Sequence, residues 1–454
     1  MVRLAARALD RAVALGTRRR WPHYERLFSA MERWPRDRID EYRRRRLAAL
    51  VEHAYRNVPY WRRVIDGLGA TPAEVGTPEG LAALPPLTKD VIDREGPALL
   101  SRGAGGARAT VKSTGGSTGH NVWLRIDMDT HDRRRAAGRL TESWDGVGPG
   151  TRVAVLWGSR LETRPSLRAR LLDRLSCRRF FSVYGVGEAE LSRYLAELQR
   201  FRPEVISSYP SILADIARRL GRRACRRLGV RLVYSSAESL DEPTRSELED
   251  AFGAPVRNRY ASREFGMIAS DCPTGPGLHL MDMRLWAENG RAEHPEAPPE
   301  LLLTDLDNRS MPLIRYRIED AAVIEDSACP CGRSLSRLAR VEGRVFDVVY
   351  TPAGRAFGGS FFPILLRPFD RSIRRFQVVQ DRLDHLTIRV VPGHGWDAPC
   401  RDRVLRIIAE RMGPEMKVDL KVCREIPPAP SGKRRPVVSL LSPEERRRAA
   451  SGNR

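Results

Sequence analysis

The alternation of apolar and polar positions divides the chain into three regimes. Through the first hundred residues apolar positions recur at helical spacing, and Leu47, Leu50, Val51 and Tyr55 mark a helix over 42–55 that breaks at Pro59. Residues 2–20 carry the same period, with Leu4, Leu9, Val13 and Leu15 among basic residues, a pattern suited to packing on the protein's own body or to resting on an acidic membrane surface. In the second regime short apolar runs at 153–156, 205–208 and 230–234 alternate with amphipathic stretches at 188–200 and 212–219. That rhythm predicts α/β units around a mainly parallel sheet. From about residue 300 the runs become more β-like, at 301–304, 313–316 and 322–324. A boundary falls near 341–346, and beyond it strands at 376–379, 385–391 and 418–422 with a helix at 401–411 predict a small α+β domain. There is no internal repeat, and the tail after Pro443 is basic and polar.

Length and charge narrow the classes. A chain of 454 residues that is 41% hydrophobic can bury a large core and divide into two or more domains. Lys and Arg number 79 against 57 Asp and Glu, a formal charge of +22, which attracts anions of every kind. The excess is spread over nearly every predicted helix, without the aromatic interleaving of a single-strand binding face, so no specific nucleic-acid partner is expected. Seven cysteines in so long a chain do not make a secreted disulfide scaffold, and the expected compartment is the cytoplasm. Arg3, Arg7 and Arg11 interrupt any signal-like apolar run, and no stretch is long enough to span a bilayer. Oligomeric state is not legible.

The densest chemical signal is the run Ser113, Thr114, Gly115, Gly116, Ser117, Thr118, Gly119. Three glycines and four hydroxyls let backbone N–H groups approach polyphosphate oxygens without a Cβ clash. No Gly-Lys-Ser/Thr ends it, although Lys112 precedes it, so it is not a Walker A loop. Taken alone, a plain linker has the same composition. Further landmarks follow in order: Tyr260-Ala261-Ser262-Arg263-Glu264; Thr304-Asp305-Leu306 through Met311-Pro312-Leu313-Ile314-Arg315-Tyr316 to Asp320; Gly343-Arg344; and Ser431-Gly432-Lys433.

With these landmarks the chain resembles the adenylate-forming (acyl-CoA synthetase) superfamily, and within it the phenylacetate-CoA ligase branch that includes CapK-like proteins. His53-Ala54-Tyr55, Val58-Pro59-Tyr60 and Leu84-Pro85-Pro86-Leu87-Thr88-Lys89 extend the likeness to the opening of the chain. The resemblance implies a large N-terminal adenylate-forming domain over 1–343, built on mainly parallel sheets, and a small mobile α+β C-terminal domain over 344–454. It implies that a carboxylate attacks the α-phosphate of ATP, releases pyrophosphate, and leaves an acyl-adenylate for a thiol, coenzyme A by default. In those relatives' terms the glycine-rich loop holds the leaving pyrophosphate and Lys433 is the adenylation lysine, its ammonium stabilising charge on the α-phosphate oxygens. Glu264 matches the magnesium-associated glutamate, Tyr260 the residue near adenine, and Ser236, Ala237 and Glu238 the segment lining the nucleotide site. Asp320 matches the aspartate that takes the ribose hydroxyls, and Arg344 the arginine at the domain junction. For the acid pocket the resemblance points to Tyr209, Pro210 and Ser211 after Ser207-Ser208, with Trp157, a set suited to an aryl or other flat acid. His120 is a candidate gate for the carboxylate.

Three features depart from the relatives' pattern. Ala261 and Arg263 replace a glycine and a threonine in the Tyr260–Glu264 motif, and Glu319 precedes Asp320 where glycine is usual; Phe346 also replaces an acid after Gly-Arg. They leave open an altered substrate or a non-catalytic, anion-binding scaffold, just as an amine, hydroxyl or carrier-protein thiol stays open as acceptor. Finally, Cys329-Pro330-Cys331-Gly332 places two thiols on one tight turn, with Cys272 and His279 a short loop apart. Such a set makes a closed, structural Cys3His zinc site, or else a group of buried unligated thiols. Cys177, Cys225, Cys400 and Cys423 lack such partners and read as packing residues.

Overall fold

The protein's structure, a computed structural model, describes residues 2–103, 109–113, 123–157, 177–181, 188–290, 299–325, 328–344, 348–353, 355–357, 361–369, 372–427 and 435–450. Its backbone contacts divide it into two compact units, one of Met1–Glu288, Leu302–Ile318 and Ile324–Ala339, the other of Asn289–Leu301, Glu319–Val323 and Arg340–Arg454.

The first unit begins with seven helices: α1 (Val2–Gly16), α2 (Trp21–Met31), α3 (Arg36–Asn57), α4 (Pro59–Gly67), α5 (Pro72–Val75), α6 (Pro78–Leu81) and α7 (Lys89–Glu95). The expected break at Pro59 is a handover: Val58 is extended, and Pro59 opens α4 at a position where a missing N–H costs nothing. On α1, Ala6 and Ala14 are buried while Leu4 and Leu15 stay exposed. An antiparallel ribbon follows, β1 (Ala109–Ser113) paired with β2 (Trp123–Asp127), Ser113 opposite Trp123. The Asp127 carboxylate then accepts the Thr130 N–H at 2.7 Å and starts α8 (Met128–Trp144).

After α8 the α/β rhythm holds. β3 (Val153–Leu156), β4 (Arg178–Phe181), α9 (Glu188–Phe201), β5 (Val205–Ser208), α10 (Pro210–Arg227), β6 (Leu232–Ser236), α11 (Glu242–Phe252) and β7 (Val256–Ser262) give parallel strands in the order β4-β3-β5-β6-β7. All four β3 residues are buried, because a parallel strand has no wet face. Its alternate positions serve two cores: Ala154 and Leu156 join Leu213, Leu248 and Phe252, while Val153 and Val155 join Val147, Leu232 and Tyr234. Antiparallel strands β8 (Gly266–Asp271) and β9 (Leu278–Leu280) continue from β7, and β10 (Leu285–Asn289), β11 (Glu300–Asp305), β12 (Tyr316–Glu325) and β13 (Arg337–Arg344) extend the sheet in the order β9-β13-β12-β11-β10.

One expected strand is absent. Residues 313–315 are buried or half-buried loop, and the strand begins only at Tyr316. Arg315 takes a left-handed backbone, φ 49°, and its N–H donates to the Thr304 hydroxyl at 2.9 Å rather than to a ladder.

α8 is a buried helix with a polar face: Thr130, Asp132, Arg134, Thr141 and Glu142 are all inside. Burial raises the Glu142 pKa, but Arg178, Arg259 and Arg139 outweigh it and hold the carboxyl below its ordinary range. Stability from this group is therefore full above the usual glutamate pKa and is lost as pH falls through the depressed value. In melts from pH 7 downward, the wild-type advantage over Glu142→Gln is expected to be largest near neutrality and to close in acid.

The second unit contains β14 (Val349–Tyr350), β15 (Ala356–Phe357), α12 (Phe361–Leu366), β16 (Ile373–Arg382), β17 (His385–Pro392), α13 (Ala398–Met412), β18 (Lys417–Val422), β19 (Val437–Ser439) and α14 (Pro443–Ala450). Its four-stranded sheet runs β18-β17-β16-β19 over a core of Val378, Leu386, Ile388, Val390, Val404 and Ile408. Cys225 and Cys400 are buried within the two units' apolar cores. Among the described residues no helix is long and apolar enough to cross a membrane.

Candidate functional site

The parallel strands end together, and the sequence-predicted pocket residues stand in a row along that carboxyl edge. Strand order reverses at β3: β4 lies on one side of it and β5 on the other. A crevice outside the strand ends at such a reversal is where open α/β sheets bind ligands. Trp157 follows β3 and Tyr209 follows β5, and their rings stack across the reversal with centroids 4.4 Å apart and planes 19° apart. Pro210 and Ser211 open α10 directly behind Tyr209. After β6, Ala237 turns into the left-handed region at φ 70°, and the Glu238 carboxylate accepts the Ser211 N–H at 3.1 Å. An anion there is favoured by the α10 N-terminus. The Ser236 hydroxyl donates to the Arg259 carbonyl at 2.6 Å, tying β6 to β7. Tyr260, Ala261 and Ser262 end β7, half-buried, with an irregularity in the β8 pairing between Tyr260 and Ala261.

Glu264 lies in the turn between β7 and β8, half-buried. The Ser262 hydroxyl accepts the Phe265 N–H at 3.1 Å across that turn. Underneath, three successive carbonyls are taken by guanidiniums. Arg134 of α8 donates to the carbonyl of Arg263 at 3.3 Å and to that of Glu264, and Arg284 donates to that of Phe265 at 3.1 Å. Arg134 is anchored by Asp305 at 2.8 Å and Arg284 by Asp307 at 2.9 Å, and the Arg284–Asp307 pair is fully buried. Near the foot of the β1–β2 ribbon, His131 bonds Thr110; burial first, then Lys112, Arg134 and Arg19, push its pKa down to about 4. A neighbourhood that cationic suits a polyanion.

Sequence reasoning singled out neither Arg134 nor Arg284, nor the role of Asp305 and Asp307. The only signal was the α8 stripe Thr130, Arg134, Ala137, Thr141, in which an arginine holds a position of the buried face.

The cysteine set comes together. One ligand atom each from Cys272, His279, Cys329 and Cys331 lies within 4.8 Å of the others. Cys272 Sγ is 3.6 Å from Cys329 Sγ, and His279 Nε2 is 3.2 Å from Cys331 Sγ. Cys272 follows β8 and His279 sits in β9, while the Cys329–Gly332 turn precedes β13. The approach needs glycine twice: a Cβ on Gly275 would come 3.0 Å from Cys329 Sγ, and one on Gly277, at φ 79°, 2.8 Å from the Leu338 carbonyl. Burial pushes the His279 pKa down to about 4, so its imidazole is neutral at pH 7, the form that ligates. Three sulfurs and one neutral imidazole in this spacing fit zinc in a closed tetrahedral site. Outside the cluster, Trp144 meets the His279 ring edge-on at 5.7 Å, and Glu32 accepts from Trp144 at 2.7 Å and Arg333 at 3.0 Å.

The remaining predicted residues distribute as follows. Ser113 ends β1, whereas Thr114, Gly115, Gly116, Ser117, Thr118, Gly119 and His120 lie outside the described residues, as do Phe346 and Lys433. Asp320 is half-buried on β12, after Glu319 at φ 68°, and Arg344 ends β13; all three belong to segments grouped with the second unit.

Comparison with known proteins adds three findings. Residues 349–439 match the family described as the CapK C-terminal domain. The chain is 24% identical over 444 residues to a phenylacetate-coenzyme A ligase of Thermus thermophilus, covering 90% of this chain and 98% of that one. It is 22% identical to protein CapK of Staphylococcus aureus, covering 87% of this chain and 88% of that one. Among solved structures, a 2-hydroxyisobutyryl-CoA ligase in its postadenylation state superposes with a TM-score of 0.73 at 19% identity over 91% of this chain and 92% of that one. An anthranilate CoA ligase bound to anthranoyl-AMP gives 0.50 at 14% identity, over 83% of this chain and 74% of that one.

Proposed function

We propose that this phenylacetate-CoA ligase-like and CapK-like chain, built on the adenylate-forming fold, activates a carboxylic acid with ATP and passes the acyl group to coenzyme A. The observation that carries the reading is the row of Trp157, Tyr209, Ser236–Glu238 and Tyr260–Glu264 along one carboxyl edge, spanning the strand reversal. In this reading Trp157 and Tyr209 form the acid-side wall, and Ser236–Glu238 with Tyr260–Glu264 the nucleotide-side wall.

In this reading a carboxylate oxygen of the acid attacks the α-phosphorus, the bond to the bridging oxygen breaks, and pyrophosphate leaves with that electron pair. The Ser113–Gly119 loop holds the departing anion and the Lys433 ammonium meets the charge growing on the α-phosphate oxygens. Asp320 and Arg344 hold the ribose end. Magnesium, bound with the nucleotide, supplies charge neutralisation across the phosphates, and Glu264 is the residue that would help hold it. The coenzyme A thiolate then attacks the acyl carbonyl, and AMP departs from the tetrahedral centre. We assign zinc, in a purely structural capacity, to Cys272, His279, Cys329 and Cys331, and the seven unpaired cysteines suit a reducing cytoplasm.

The stacked Trp157–Tyr209 pair argues for a flat acid, since an aryl ring extends the stack. ATP-dependent pyrophosphate release over a panel of aryl, amino and fatty acids tests the reaction, and formation of the acyl-CoA tests the acceptor. Trp157→Ala is expected to raise KM for the best aryl acid by roughly tenfold while sparing kcat, the mark of lost uniform binding. Equal losses across aryl and fatty acids would remove the aryl assignment, and silence from the wild-type protein over the whole panel would remove the ligase reading.

A further inference from the structure

The turn that carries Glu264 has no regular ladder of its own beneath it, yet its carbonyls are not left to water. Residues 263, 264 and 265 direct three consecutive carbonyl oxygens at two guanidiniums, each backed by a buried aspartate. Arg134 comes from α8 and Asp305 from the end of β11, 171 positions later in the chain, so the turn is fixed by elements remote in sequence. The contact is also shaped sterically. Gly266 has φ 71°, and a Cβ there would stand 3.2 Å from Arg134 Cγ, so a side chain at 266 would both strain the left-handed backbone and push the arginine stem aside.

We propose that Arg134 is a positioning residue for the nucleotide-bound cation: it sets the height and orientation of the Glu264 carboxylate by gripping the Arg263 and Glu264 carbonyls while Asp305 holds its own fork. The inference rests on the proposed role of Glu264 and deepens it. The planar fork is what the site uses, because two carbonyls and one carboxylate must be met at once from a single side chain. A lysine keeps the charge and fills most of the space, but a point charge cannot hold both carbonyls in register with Asp305. A ligand's orientation shell of this kind matters to cation affinity even though it never touches the cation.

The test compares wild type, Arg134→Lys and Gly266→Ala, two independent disturbances of one contact. Three quantities are read on each: thermal melting, amide hydrogen exchange of peptides covering 260–267, and the magnesium concentration that half-saturates ATP binding in calorimetry. None requires the acid to be known. The expected result is a cooperative melt in both variants, faster exchange confined to 260–267, and a magnesium midpoint raised about tenfold. An unchanged magnesium midpoint in variants whose turn exchanges faster would overturn the inference and reduce Arg134 to a stability residue. ATP binding by the wild type with no magnesium dependence would overturn it also, while leaving the nucleotide reading in place. No ATP binding by the wild type at any magnesium concentration would bring down both.

Discussion

Lys433→Ala protein is expected to release pyrophosphate on the order of a hundredfold to a thousandfold more slowly than wild type, with ATP affinity nearly unchanged. The size follows from where the charge develops. On the proposed reading the phosphates of bound ATP are already met by the loop and the cation, so removing one ammonium would take little from binding. In the displacement negative charge accumulates on the α-phosphate oxygens, and on the same reading one lost donor there would be worth about 3–4 kcal/mol. The neighbouring Arg434 and Arg435 are not expected to rescue it, because a bulky planar fork does not replace a compact ammonium at one oxygen. Single-turnover pyrophosphate release with the preferred acid is the measurement, and a full wild-type rate would remove Lys433 from the reaction.

Cys329→Ser is the second large effect. Purified wild-type protein is expected to carry about one zinc per chain by elemental analysis, and the variant close to none. The cluster ties the turn after β8, strand β9 and the segment before β13 into one knot, and through Trp144 and Glu32 it also holds the last turn of α8. A structural zinc site contributes several kcal/mol, so melting is expected to drop by roughly 5–10 °C. Wild-type protein free of zinc and melting like the variant would show that the thiols are packing residues only.

The parallel core was legible because burial on both faces leaves a distinctive trace. Val153–Leu156, apolar throughout, and Val205–Ser208, opened by a β-branched pair, read as strands, and the structure places them there. The run 313–316 carried the same trace and misled, since apolar composition reports burial and says nothing of backbone direction: Pro312 and the left-handed Arg315 keep it a loop until Tyr316. The residues of the cysteine–histidine cluster stood out because thiols are rare in this chain and two of them share one turn. Arg134 could not stand out. In a chain with 79 basic residues one arginine carries no mark, and its partner Asp305 is fixed only by the fold. Periodicity identifies which side of a helix turns inward, but not what waits there.

Helix α8 turns inward a face of threonines, an aspartate, an arginine and a glutamate. Unfolding it hydrates these groups alongside Ala136, Ala137 and Leu140, and polar hydration lowers the heat capacity where apolar hydration raises it. This part of the molecule therefore contributes little to the curvature of stability against temperature. The desolvation penalty of its ion pairs also shrinks on warming, because charged groups lose hydration free energy as temperature rises. The grip on the Glu264 turn is thus set by a term that strengthens with heat, and the turn is expected to keep its geometry up to the temperature at which the surrounding apolar cores give way.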